Sequence, residues 1–242
     1  MHFTIDTHVH SIASGHAYST VEEIARFASS KGILVFALTD HGPSIPGAPN
    51  SIYFGNLAVL PEEIYGVRVL KGIEANILDY EGNLDLPSGV LKKLEFVIAS
   101  FHDLCIESGT VEQNTAALIG ALKNPLVDVI AHPGNPRFQV DIDSVVKAAK
   151  HYGKLIEINN HSFRVRAGSR DNCIMFARKC MEYGVRIVCG SDAHISFDVG
   201  KFDKVYELLA EVGMPEELII NISVESIADY LESRKARLLD MK

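Results

Sequence analysis

The sequence predicts an α/β fold of repeated βα units, closed into a barrel of seven strands. Two observations carry that reading. Short apolar runs rich in β-branched residues recur along the chain, and helix-like segments with start and stop residues separate several of them. Continuous apolar runs suit strands covered on both faces of a parallel sheet. An open, doubly wound sheet is the alternative architecture. A third observation concerns function: polar residues gather where the apolar runs end.

In chain order, the strand runs are "FTID", "ILVFALT", "VRVLKGI", "EFVIAS", "VDVIA", "KLIEIN" and "VRIVCG". After the first, "STVEEIARFASSKG" starts with Ser19 and Thr20, each three residues before a glutamate, and stops at Gly32. A capping box and a glycine stop are the signature of a helix. "VEQNTAALIGALKNP" reads as a helix ended by proline, and "DIDSVVKAAKHYG" and "DNCIMFARKCMEYG" as helices ended by Gly153 and Gly184. "YEGNLDLPSG" is a turn-rich insertion instead of a helix. Two further helices, "FDKVYELLAEVG" and "VESIADYLESRKARLL", close the chain. No linker, charge block or low-complexity segment divides it, so a single domain over 1–242 is expected.

The bulk composition excludes several classes. Of the 242 residues, 47% are hydrophobic and the formal net charge is -8, which argues against long nucleic acid or an anionic membrane as partner. The N-terminus lacks a basic n-region and a long apolar h-region, and no run reaches the ~20 apolar residues of a membrane span. Cys105, Cys173, Cys180 and Cys189 form no C-x-x-C pair and read as reduced thiols of a cytoplasmic protein. Glycine-loop nucleotide motifs are missing as well.

The run ends hold the chemistry. "THVHSIASGHA" follows the first strand and brings His8, His10 and His16. The second run ends at Asp40-His41, the third at Glu74, the fourth at His102 and the fifth at His132. The sixth ends at Asn159 and Asn160, and the seventh at Asp192 and His194. In a β/α barrel the loops after the strands form the active face. Seven of ten histidines stand there with one glutamate and one aspartate. Core histidines would not favour one end of so many strands, so the set reads as a metal site. Nine candidate ligands exceed the roughly four that one zinc takes. Three ions fit if a carboxylate such as Glu74 bridges and water completes the shells. The donors suit zinc, and also manganese or iron. Three divalent ions against Glu74 and Asp192 leave a bare pocket of about +4, a focus for phosphate that would also acidify water.

The ordered set "H-x-H", "TDHG", "GIEAN", "FH", "AHPGNP", "EINN" and "GSDAH" resembles the polymerase and histidinol phosphatase (PHP) superfamily, closest to its YcdX-like phosphatases, over nearly the whole chain. The resemblance implies a distorted (β/α)7, TIM-barrel-like fold with a trinuclear centre at the C-terminal ends of the strands, usually zinc. Carried over by residue, His8, His10, Glu74 and Asp192 hold one ion. Glu74, His102 and His132 hold a second, and His16, His41 and His194 a third. Glu74 and Asp192 take the catalytic role. The expected activity is hydrolysis of small phosphomonoesters by metal-activated hydroxide, and a homo-oligomer such as a trimer is compatible with the family. The alternatives are a phosphodiesterase or exonuclease working on short nucleic-acid ends, and a non-catalytic metal-bound module.

The remaining polar residues have weaker assignments. His2 reads as a terminal surface residue and His151 as a helix-end cation. Asp40 either orients a ligand histidine or caps a turn. His161 is a candidate pocket residue. Arg166 is either a phosphate clamp or a solvated loop residue, and Arg164 shares its loop.

Overall fold

The computed structural model describes residues 1–239. Its strands are β1 (Ile5–Val9), β2 (Val35–Leu38), β3 (Glu63–Ile64), β4 (Val67–Asn76), β5 (Phe96–Ser100), β6 (Val129–Ile130), β7 (Leu155–Asn159) and β8 (Ile187–Gly190). Its helices are α1 (Val21–Ser30), α2 (Ser51–Gly55), α3 (Ser88–Leu91), α4 (Val111–Lys123), α5 (Ile142–Tyr152), α6 (Ser162–Val165), α7 (Ser169–Tyr183), α8 (Asp203–Val212) and α9 (Val224–Leu239).

Seven strands pair in parallel in the order β1-β2-β4-β5-β6-β7-β8. The edges meet where Val9 bridges Ala193, His10 N donates to Ala193 O at 2.9 Å, and Asp192 N donates to His8 O at 2.9 Å. The sheet thus nearly closes into the expected distorted (β/α)7 barrel. The distortion lies in the units around β4, where full-length helices give way to α2 and α3. The eighth strand, β3, was not foreseen. It pairs antiparallel with β4 through the two-residue turn Tyr65-Gly66, both at positive φ. Such a turn matches the twist of a tight hairpin.

Side chains alternate between two layers, as the period of a strand demands. Val35 and Ala37 of β2, Phe96 and Ile98 of β5, and Leu155 of β7 fill the interior with Ile227, Tyr230 and Leu231 of α9. Phe36 and Leu38, Val97 and Ala99, and Ile156 and Ile158 pack outward under the helices. Helix α9 therefore floors the barrel at the N-terminal ends of its strands. Capping follows the sequence closely. Thr20 and Glu23 form a reciprocal box at α1, and Gly153 and Gly184 end α5 and α7 in the left-handed conformation. Ser19 has another task, accepting from Ser196 N at 2.9 Å. No helix among the described residues is long and apolar enough to cross a membrane.

Candidate metal centre

All nine expected ligands meet at the C-terminal mouth of the barrel. Pairing of β1 with β2 shifts register between Asp6 and Val9, and this irregularity turns His8 and His10 inward. Such bulges re-aim side chains near sites. Glu74 projects from the inner face of β4 and is fully buried. His41 prolongs β2 by bridging to Glu74, and His102 follows β5 by two residues. His132 and Asp192 follow β6 and β8 with φ of 33° and 56°. A non-glycine residue held there costs on the order of 1–3 kcal/mol, and such strain persists only where neighbours fix it. Here they do: His132 N donates to Glu157 Oε2 at 2.7 Å, and Asp192 N to His8 O.

Glu74 is the hub. His132 Nε2 lies 2.8 Å and His102 Nε2 3.4 Å from its Oε1. His41 Nδ1, His8 Nε2 and His10 Nε2 lie 2.7, 3.4 and 3.5 Å from its Oε2. Asp192 Oδ1 stands 3.4 Å from His10 Nε2 and 3.8 Å from His8 Nε2. His16 and His194 face each other, Nε2 to Nε2, at 3.1 Å. Donor atoms of His8, His10 and Glu74, of His41, Glu74 and His102, and of His10, His41 and His194 form three triads, each within 4.8 Å. These triads overlap the carried-over groups without reproducing them, because His41 sits between Glu74 and the His10–His194 side.

Hydrogen bonds behind the rings decide which nitrogen faces the site. His8 Nδ1 contacts Glu157 Oε1 at 2.7 Å, and His102 Nδ1 contacts Asn76 Oδ1 at 2.6 Å. His194 Nδ1 contacts the Asp192 carbonyl at 3.0 Å. An acceptor behind Nδ1 puts the proton there and leaves the Nε2 lone pair for a metal. His10 Nδ1 reaches Ser14 Oγ at 3.0 Å, and that hydroxyl donates to Asp40 Oδ1 at 2.6 Å. Having spent its proton on Asp40, the hydroxyl accepts from His10. Asp40 thus orients a ligand histidine through Ser14, and it also accepts from Ser11 and from Tyr53 Oη.

The charges are tuned by crowding. Burial pushes the Glu74 carboxyl up, but His102, His8 and His41 hold it well below the usual carboxylate range. Asp192 is likewise held down, against burial, by His8 and the His10 contact. Burial and the facing His194 and His41 push His10 well below ordinary imidazole, and burial with Arg166 lowers His132 to about 4. His8 goes the other way: burial works against its charge, but Glu157, Glu74 and Asp192 outweigh burial and raise it. His8 and His10 stand Nε2 to Nε2 at 3.0 Å.

The donor set fits a divalent metal. His41 Nδ1 and Glu74 Oε2 are buried, 2.7 Å apart, and neither makes a hydrogen bond. Such orphaned atoms are rare in a closed core. Converging imidazole lone pairs repel one another unless a proton or a cation lies between them.

A cavity of about 870 Å³ opens above this cluster. His16, His41, Glu74, His102, Asp192 and His194 line its base, while His161 and Arg166 line one wall. Arg166 Nη1 contacts Ser162 Oγ at 2.9 Å and lies 3.5 Å from Asp192 Oδ2, so it belongs to the site. Arg164 faces a neighbouring pocket instead. Asn159 Nδ2 donates to Asp192 Oδ2 at 3.2 Å, whereas Asn160 caps α8 through Lys204 N at 3.0 Å. His2 is exposed, and His151 occupies the last turn of α5.

Sequence reasoning missed Glu157, Ser14, Asn76 and Asp85. Glu157 ties His8, the His132 backbone and Asn159 together. A Cβ at Gly190 would come within 2.5 Å of His8 Cβ, so only glycine lets β8 pass behind this pair. Asp85 Oδ2 accepts from Asn76 Nδ2 and fixes the acceptor of His102. The available signal was the glutamate inside "LIEIN", a charge in an apolar run.

Comparison with known proteins agrees with this geometry. A probable phosphatase of Acetivibrio thermocellus is 61% identical, over 98% of this chain and 99% of its own length. Another, from Thermoanaerobacter sp., is 55% identical over 98% of each chain. Among solved structures, histidinol phosphate phosphatase from Lactococcus lactis, complexed with zinc, L-histidinol and phosphate, superposes with a TM-score of 0.62. It is 14% identical and matches 89% of this chain and 95% of its own, so it supports the fold. The PHP domain model matches residues 6–161, and on that match and these relatives the chain belongs to the PHP domain family.

Proposed function

We propose that this chain is a metal-dependent phosphomonoesterase with three divalent ions, zinc foremost, at the mouth of the barrel. The observation that carries the reading is the cluster of imidazoles around and beside Glu74, with four Nδ1 atoms tied back and their Nε2 atoms turned into the cluster. In this reading His8, His10, Glu74 and Asp192 hold one ion, Glu74, His102 and His132 a second, and His16, His41 and His194 a third. When bound, divalent ions acidify water and neutralise charge on phosphoryl oxygens.

The protein's own groups do the rest. Glu74 and Asp192 stay ionised at neutral pH because the imidazoles hold their carboxyls down. Glu157, Asn76 and Ser14 fix ring orientation, so little reorganisation is needed when the ligands engage. Arg166, beside Asp192 in the cavity, offers a planar fork to phosphate oxygens. A cysteine nucleophile is unsuited: burial pushes Cys105, three residues after His102, up to about 11. The net charge of -8 and a bounded cavity favour a small dianionic monoester over a long polyanion.

The test is hydrolysis of p-nitrophenyl phosphate and of its bis ester by protein of measured metal content. The monoester should turn over well above the diester, with activity tracking bound metal. Preference for the diester, or no hydrolysis by fully metallated protein, would overturn the reading.

A further inference from the structure

We propose that the outer part of the metal-centre cavity is a leaving-group subsite for apolar alcohol moieties, built on Leu104 and Val165. The inference rests on the phosphomonoesterase reading and names the class of monoester.

The cavity is larger than its catalytic base needs. About 870 Å³ falls in the range of pockets that enclose a whole small molecule, roughly 300–1,000 Å³. A phosphoryl group at the histidine cluster fills only the floor. Above it the lining changes character. Ile45 and Pro46 come from the loop after β2, Leu104 from the loop after β5, Pro136 from the loop after β6, and Val165 from the end of α6. Four separate loops thus turn apolar groups to one space that is continuous with the metal site.

Two of these groups are left bare. Leu104 is 71% exposed and Val165 is 54% exposed, although both belong to the wall of a concave site. Apolar side chains at a cavity mouth gain when an apolar ligand covers them. The charged groups at this level already have partners of opposite sign. Arg137 is paired with Asp103 at 2.8 Å, and Arg166 is held lower down by Ser162 and Asp192. Asn135, Arg137 and His161 also line the cavity, so a hydroxylated substrate is the direct competitor of an apolar one.

The test is a series of primary alkyl phosphates from ethyl to hexyl, with glycerol 3-phosphate as the hydroxylated counterpart of propyl phosphate. The leaving alcohols in the alkyl series differ little in acidity, so the chemical step is nearly constant. Full burial of a methylene is worth up to about fourfold in kcat/KM, and half-burial roughly twofold. We expect about a fifteenfold rise from ethyl to hexyl at roughly twofold per methylene. Glycerol 3-phosphate should fall below propyl phosphate. Leu104→Ser and Val165→Ser should each lower kcat/KM for hexyl phosphate more than for ethyl phosphate, flattening the gradient. Both side chains are exposed, so circular dichroism should show both variants folded. Phosphate release at equal kcat/KM across the series would overturn the subsite and leave the phosphatase reading standing. An unchanged gradient in both variants would overturn the assignment to these two residues. No release from any monoester would remove the phosphatase reading and this inference with it.

Discussion

The barrel has a buried polar cluster at each end, and the two are built on opposite plans. At the N-terminal floor, Asp128 accepts from Val97 N at 2.9 Å, Arg234 Nε at 2.8 Å, Arg237 Nη2 at 2.7 Å and Tyr230 Oη at 3.1 Å. Beside it Lys154 Nζ donates to the carbonyls of Asn124, Pro125 and Val127. Apart from Arg234 Nη2, these groups find their partners within the chain. At the mouth, imidazole lone pairs face one another and Glu74 Oε2 makes no hydrogen bond. A satisfied network fastens elements, here α9 to the floor. An unsatisfied one needs something from outside, and histidine with carboxylate asks for a metal.

The largest expected effect breaks the mouth. Glu74→Gln keeps shape but removes the charge between the two donor groups. Activity should fall by about a thousandfold, the several kcal/mol a bound ion supplies to phosphoryl chemistry. His16→Asn, at the more exposed edge, should lose less. Equal losses with unchanged metal content in both would count against the hub. The matching change at the floor is Asp128→Ala, which strands two arginines. It should cost about 3–5 kcal/mol in urea denaturation while activity per folded molecule is retained. A loss of activity without a loss of stability would contradict the division of labour.

Much of the mouth was legible because a β/α barrel puts run ends on one face, so "TDHG", "GIEAN" and "GSDAH" could be placed with no pairing known. The floor was not legible. Asp128 and Arg234 are 106 positions apart, and nothing in either segment marks the partner. Glu157 was overlooked for a related reason. It shares an inward face with Leu155 and Asn159 in β7, and only the side-chain contact across the barrel mouth reveals that it holds His8. Hairpin β3–β4 was missed because β3 has only two residues.

Glu157 gives a sharper test of the mouth with a smaller expected effect. Glu157→Gln keeps the strand but weakens the grip on His8 and on the strained His132. Metal affinity should drop about 10–100-fold, as for other residues behind metal ligands. Calorimetric titration of the metal-free protein reads this, and an unchanged affinity would reduce Glu157 to a packing residue.

The smallest effect is a pH dependence in the metal-free protein. His10, His16 and His132 are depressed below the ~6.5 of free imidazole, so the unfolded chain binds more protons there. Their contribution is full above that value and is lost as pH falls through their folded values, about 4 for His132. Glu74 and Asp192, also depressed, contribute above about 4 and lose it only in stronger acid. His8 is raised, so its contribution is full below ~6.5 and is lost as pH rises through its folded value. Three groups against one predict a melting midpoint lower at pH 5 than at pH 7. An equal or higher midpoint at pH 5 would mean that the imidazoles are not held neutral.

In the proposed reading the mouth holds several ions on one shared carboxylate. Elemental analysis of protein purified without chelator tests it most directly, paired with phosphomonoester turnover on the same samples. About three divalent ions per chain are expected, consistent with nine donors sharing one bridge, with turnover lost on chelation and regained on reloading. Saturation at a single ion, with full activity, would contradict it.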